Sequence, residues 1–344
     1  DHCYLPEYVR AQKYRMNEET FSASLDAVEE MVKAQRAPGA MILWHGGEPL
    51  ALPRDYFRDL CERTRLRMPA SIQAIQTSLI PYRPEWSSIV EEFFEGQIGS
   101  SVDFSQRTLR GSSEKYLELW MTKVEMARSH GHNVVPGMVP SRAEIGRGAQ
   151  IADWLHDRGF RSWNIDRYNS FSKEDPSRPN NREHSQFLTE AFDSVMSRFL
   201  STGEVVRVNT VTAALSGILL NQPGDRWGGS CSNDFIVINP DGTTNACPDK
   251  ISYEGFSNIK EGYKGFKLSE ERKKWIREHL MGHRNSDCPT CPFNTFCKSG
   301  CPLTPNTPES EGECSGYHRH LRHVREWVRL NPSAADDYFY QATK

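Results

Sequence analysis

The sequence predicts an α/β protein in which parallel strands alternate with helices, followed by a smaller cysteine-rich region. Three observations carry this. Segments with the period of strands alternate with segments at the 3.6-residue period of helices from Asn17 to about residue 200. The connections between them are short, as parallel strands joined through crossover helices require. Seven of the nine cysteines fall in the last third of the chain.

The elements follow in order. Asn17 caps a helix with Phe21, Leu25, Val28 and Val32 on one face. The stretch "APGAMILWHGG" is a turn feeding a buried strand. Then come a helix near 53–67, strand "SIQAIQTS", a helix near 84–95, strand "QIGSSVDF", a helix at 113–129 and strand "HNVVPGMV". A helix near 143–158, strand "RSWNIDR" and a helix near 184–201 complete the alternation, which is expected to stop near residue 205. The polar stretch 169–183, rich in Pro, Asn and Ser, reads as a surface loop, and "YHRHLRHVREWVRL" near the end reads as a helix. An open sheet and a curled barrel satisfy this pattern equally well.

At 344 residues the chain has room for one large domain and a smaller one. The 42 Lys and Arg and 45 Asp and Glu give a net charge of −3 and are scattered, so no nucleic-acid partner is expected. No run approaches the ~18 apolar residues of a membrane span, so no membrane partner is expected either.

The late cysteines run Cys231-x10-Gly242-x4-Cys247, then Cys288-x2-Cys291-x5-Cys297-x3-Cys301, then Cys314. An odd total in a large chain fits a disulfide scaffold poorly. A C-x2-C pair suits structural zinc, whereas spacings of five and three suit thiolates wrapped around a bulkier iron-sulfur cluster; spacing alone leaves both open. Cys61, four residues after Phe57, reads as a packed core thiol. His318, His320 and His323 do not share one helical face, so a solvated, partly basic helix is expected there rather than a metal site.

"HGGEPL", residues 45–50, ends the first predicted strand on the edge where α/β proteins place ligands. Gly46 and Gly47 let a ligand approach the backbone, and Glu48 adds a carboxylate suited to an ammonium group. Near the start, "DHCYLP" holds Cys3, with no second thiol in the next fifty positions.

Together, "HCYLP", "HGGEP" and the seven-cysteine pattern resemble the radical S-adenosylmethionine enzymes with a C-terminal SPASM domain, over nearly the whole chain. The resemblance implies a partial (β/α)6 TIM-like barrel over 1–205, lacking its N-terminal strand, a bridge over 206–230, a SPASM domain over 231–330 and a tail over 331–344. It implies one catalytic and two auxiliary 4Fe-4S clusters. Cys3 is then the third ligand of the catalytic cluster, the other two falling before Asp1. Gly46, Gly47 and Glu48 receive the methionine ammonium of S-adenosyl-L-methionine, Ser101 lies near that ligand, and Arg110 faces its carboxylate. Cys288, Cys291, Cys297 and Cys314 hold the outer auxiliary cluster, and Cys231, Cys247 and Cys301 the inner one. Sulfatase-maturating relatives carry a further cysteine before Cys231 and an Asp directly after Cys247. This chain lacks the first and has Pro248 before Asp249, the candidate general base.

The expected activity is an oxidative modification or crosslink in a ribosomally made precursor peptide, with a reductant such as flavodoxin or ferredoxin, in the cytoplasm. Formylglycine formation in a sulfatase is the rival within the family. A non-catalytic iron-sulfur or zinc protein is the rival outside it.

Overall fold

The computed structural model describes residues 15–169, 175–224, 227, 231–248, 255–281 and 283–344, without the side chains of 232, 233, 279 and 280. They form two compact units. The first takes the described residues up to Val102, with Arg107–Val135 and Cys231–Arg277; the second takes Asp103–Gln106 and the described residues of 136–230 and 278–344. Six strands stand in chain order: β1 Met41–Trp44, β2 Ile72–Thr77, β3 Gln97–Ser101, β4 Asn133–Met138, β5 Ser162–Ile165 and β6 Arg207–Val208.

In the first unit β1 pairs with β2 in parallel, Met41 opposite Ile72, and β2 with β3, Thr77 opposite Ser100. Helix α1, Glu18–Gln35, starts at Asn17, whose side chain accepts the Thr20 N–H at 2.8 Å, as the capping signal requires. Its Phe21 and Leu25 pack with Leu60 and Met68 and with the partly buried Ile42 and Trp44 of β1. Helices α2, Arg54–Arg67, and α3, Ser87–Phe94, follow β1 and β2, and α4, Ser113–Ser129, has the bounds its periodicity predicts. Cys61 is fully buried on α2, as expected of a core thiol. The late residues of this unit form a three-stranded antiparallel sheet: β7 Val237–Ile238, β8 Thr243–Asn245 and β9 Ser257–Asn258.

In the second unit β4 pairs with β5 and β5 with β6, again in parallel. Helix α5, Gly148–Asp157, starts later than its sequence suggests, because Ser141 and Glu144 cap a separate 3-10 turn over Arg142–Glu144 and Gly146 turns the chain at φ +82°. Helix α6, Asn181–Thr202, starts earlier, because Asn180 and Glu183 close a capping box at the end of the stretch read as loop.

The alternation does not stop at 205. Arg207–Val208 adds a sixth strand, and α7, Asn209–Leu220, follows it at once. Two residues are too few to show a strand period, and "NTVTAALSGILL" is apolar on most of its circumference, so it carries little amphipathic signal. The end of the chain, α8 over His318–Leu330 and α9 over Pro332–Thr343, is helical; Tyr338 on α9 is fully buried and donates from its hydroxyl to the Val206 carbonyl at 2.5 Å.

Candidate functional site

The loop after β1 is built around Glu48. Its Oε1 accepts from the Leu50 N–H at 3.1 Å and the Thr77 hydroxyl at 2.5 Å, and its Oε2 from the Ser78 N–H at 2.8 Å and the Ser78 hydroxyl at 2.6 Å. A carboxylate offers about four lone-pair positions, and all four are taken. Glu48 thus fastens the β1 loop to the C-terminal end of β2. Gly46 holds φ +49°, which favours glycine, and a Cβ added at Gly46 or Gly47 would meet nothing within 4 Å among the described residues. No described side chain or backbone therefore covers these two glycines.

Ser101 ends β3, half-buried, and its hydroxyl accepts from the Gln76 amide at 3.0 Å. Parallel pairing brings the ends of β1, β2 and β3 to one edge of the first unit, so the Gly46–Glu48 loop, Ser78 and Ser101 share that edge. Arg110 is exposed in a tight turn at φ +52°, closed by paired Leu109 and Ser112. Gly242, the glycine inside the first cysteine spacing, makes the β7–β8 hairpin turn at φ +86°, where a Cβ would meet Asn258 Oδ1 at 3.0 Å. Half-buried Cys231 and Cys247 flank that hairpin. Cys3 and Asp249 lie outside the described residues.

In the second unit Cys288 and Cys297 lie in short helical turns, Cys291 ends the first of them, Cys301 and Cys314 lie in irregular chain, and no described cysteine forms a disulfide. Burial pushes the Cys297 thiol up to about 12, with the nearby Cys314 adding to the effect and Arg167 and the N–H groups of Gly300 and Ser299 opposing it. Burial also raises Cys314, with N–H groups of His318 and Gly316 opposing and the neighbouring Cys291 reinforcing. Cys288 donates to Asn285 Oδ1 at 3.2 Å and accepts from the Ser299 hydroxyl at 3.4 Å.

Lys298, Ser299 and Gly300 hold successive left-handed φ values of 46°, 74° and 74°. Such consecutive turns aim backbone N–H groups inward, the concavity that anions and iron-sulfur sites use. Gly316 makes room for sulfur: a Cβ there would lie 2.4 Å from Cys297 Sγ and 3.9 Å from Cys314 Sγ. No three His, Cys, Asp or Glu side chains meet in single-ion geometry among the described residues. Cys297 and Cys314 share the space that Gly316 leaves, with amide donors around both, and soft thiols so framed suit iron-sulfur ligation in donor type.

The sequence gives no warning of Arg167, two residues past β5. Its guanidinium is wholly buried, donates to Thr304 Oγ1 at 3.2 Å, lies 4.6 Å over the Tyr317 ring and hydrogen-bonds Cys301. Burial works against its charge, and Tyr317, Cys301 and Cys297 together more than offset it. An arginine after a strand usually reads as solvated loop; the available signal was its place on the ligand-bearing edge of a parallel sheet.

The expectation of a solvated, partly basic helix holds for the arginine-bearing face of α8 and is corrected at His320. His320 is fully buried, with Nδ1 3.2 Å from Thr189 Oγ1 and its ring edge-on to Phe192, and burial pushes it down to about 3, so it is neutral. His323 pairs with Asp193 at 2.6 Å. The three do not converge on a metal.

Comparison with protein-family models and with curated proteins finds no match. Solved structures do match. The fold is shared with solved structures of anSMEcpe and SuiB. Native anSMEcpe with bound AdoMet superposes with a TM-score of 0.74 at 18% identity, covering 93% of this chain and 89% of that one. Native anSMEcpe with bound AdoMet and Kp18Cys peptide gives 0.74 at 17% identity over 93% and 91%. Streptococcus suis SuiB bound to precursor peptide SuiA gives 0.59 at 13% identity over 88% and 68%. No helix among the described residues is long and apolar enough to cross a membrane.

Proposed function

We propose that this protein is a radical S-adenosylmethionine enzyme that oxidatively modifies or crosslinks side chains of a ribosomally made precursor peptide. The carrying observation is the conjunction of an open, glycine-bearing loop braced by Glu48 and a thiol set framed by amide donors, in a fold shared with structures that hold AdoMet and peptide. When bound, the iron-sulfur clusters supply one-electron chemistry: cleavage of the sulfonium to a 5′-deoxyadenosyl radical, and a sink for the electron a substrate radical must lose.

The chain's own residues do the rest. The exposed backbone of Gly46 and Gly47 receives the methionine ammonium. Glu48, with its lone pairs already filled, holds that backbone in place rather than bonding the ammonium itself. Ser101 stands on the same edge as a ligand neighbour, and Arg110, exposed on its turn, is the candidate for the carboxylate. Cys288, Cys291, Cys297 and Cys314 bind the outer auxiliary cluster; Cys231, Cys247 and Cys301 bind the inner; Cys3 serves the catalytic one; and Asp249 is the candidate base. A flavodoxin or ferredoxin in the cytoplasm supplies the electron.

Sulfatase maturation is the second reading, favoured by the higher TM-scores of the anSMEcpe structures over SuiB. Mass spectrometry of candidate peptides incubated with the full-length, cluster-loaded protein separates the two. Loss of two hydrogens with a new side-chain bond supports the first reading. Conversion of a single Cys or Ser to formylglycine supports the second.

A further inference from the structure

Helices α6 and α8 pack side by side in the second unit and leave a groove of about 720 Å³ between their outer faces. Their floor is well tied. His320 donates its backbone N–H to Ser185 Oγ at 3.1 Å, Ser185 donates to Glu313 at 3.3 Å, and Thr189 meets His320. Along α8 the groove-lining Arg319, Arg322 and Arg325 recur every three residues, a span of about 9 Å at 1.5 Å per residue. Arg182 faces them from the first turn of α6.

The carboxylates within the groove do not neutralise these groups. Glu190 accepts from the Gly148 N–H at 2.9 Å and from Gln186 at 2.7 Å. Glu326 is held by both arms of Arg329, at 2.9 and 2.7 Å. Among the described residues Arg182 and Arg322 make no ion pair or side-chain hydrogen bond, Arg325 covers the Phe293 ring at 4.8 Å with the Glu326 carboxylate as an electrostatic neighbour, and Arg319 makes a long ion pair with Glu313 at 3.9 Å. Guanidinium forks without a hydrogen-bonded carboxylate, as at Arg182 and Arg322, are suited to bidentate pairing with incoming ones.

We propose that the α6–α8 groove binds an acidic segment of the peptide substrate, away from the residue that reacts. A run of Asp or Glu side chains matches arginines repeated over about 9 Å, whereas a single small dicarboxylate would reach only neighbouring ones. The interspersed Glu190 and Glu326 tolerate a peptide with gaps between its charges and repel a continuous phosphate backbone. Only the choice of peptide as occupant rests on the function proposed above.

The test is fluorescence anisotropy with cluster-loaded, full-length protein and three labelled probes: a Glu/Asp-rich peptide, the same peptide with Lys for each acid, and a short single-stranded RNA. The wild type is expected to bind the acidic peptide alone, with affinity falling as salt rises. The double variant Arg319→Glu/Arg322→Glu is expected to weaken that binding roughly tenfold or more, because two attractive contacts become repulsive. Lys264→Glu, an exposed reversal in the first unit, is expected to leave it unchanged. Should the double reversal fail to fold by circular dichroism, Arg322→Gln/Arg325→Gln carries the same expectation with a smaller loss. Equal binding of the Lys peptide, preference for RNA, or no effect of either double variant overturns the proposal. The radical reading is decided separately, by formation of 5′-deoxyadenosine, which none of these variants is expected to change.

Discussion

If Glu48 is a brace rather than a direct ligand, removing its carboxylate must weaken the protein before any S-adenosylmethionine is added. Glu48→Ala strips four hydrogen bonds at once and leaves the buried Thr77 hydroxyl without the acceptor it holds at 2.5 Å. Hydrogen bonds to charged groups contribute about 1.5–3 kcal/mol each when well buried, and less here because Glu48 is half-exposed, so about 3 kcal/mol in total is a reasonable expectation. For a chain of 344 residues, at about 2.1 cal/mol/K of unfolding entropy per residue, that corresponds to a fall in melting temperature of roughly 4 °C. Glu48→Gln keeps the acceptor facing Leu50 and Thr77 but can turn an amide NH2 toward the two Ser78 donors, so it should lose about half as much. The assay is differential scanning fluorimetry without ligand, alongside titration calorimetry of S-adenosylmethionine into cluster-loaded protein. Lost ligand binding with an unchanged melting temperature in both variants would refute the argument, because it would make Glu48 a contact and not a support.

Three further outcomes follow from the same geometry. Burial raises the Glu313 carboxyl to about 7 from its ordinary 4.5, so the folded state holds a proton that the unfolded state releases between those values. Its contribution to stability is present below pH 4.5 and is lost as pH rises through 7; Glu313→Gln should therefore gain up to about 3 kcal/mol relative to wild type between pH 5 and pH 8, read from urea denaturation. Gly316→Ala places a methyl 2.4 Å from Cys297 Sγ and should lower iron bound per chain while leaving the circular dichroism spectrum near wild type. Arg167→Met removes a buried positive charge beside Cys301 and Cys297 and should shift the auxiliary clusters to lower midpoint potential, measured by electron paramagnetic resonance under redox titration.

Much of the framework was legible because its signals are local. Asn17 caps α1 where its side chain can reach the Thr20 N–H, and the Ser113–Ser129 periodicity delimits α4. Elements without such signals were lost: β6 is too short to alternate, and α7 is too uniformly apolar to show a face. The site was half legible. Gly46 and Gly47 announce an open backbone, but the partners that determine what Glu48 does, Thr77 and Ser78, lie about thirty residues away in sequence. Arg167 and His320 were invisible or misread for one reason: a charged or polar residue in a plausible loop or surface helix looks solvated until the groups packed over it are known.

Whether this protein cleaves S-adenosylmethionine, as proposed above, is decided directly by one measurement. Full-length protein with reconstituted clusters is mixed anaerobically with S-adenosylmethionine and dithionite, and the products are resolved by chromatography. 5′-Deoxyadenosine and methionine are expected, formed only when the reductant is present and lost when Cys3 is replaced by Ala. Fully loaded protein that yields neither product would contradict it.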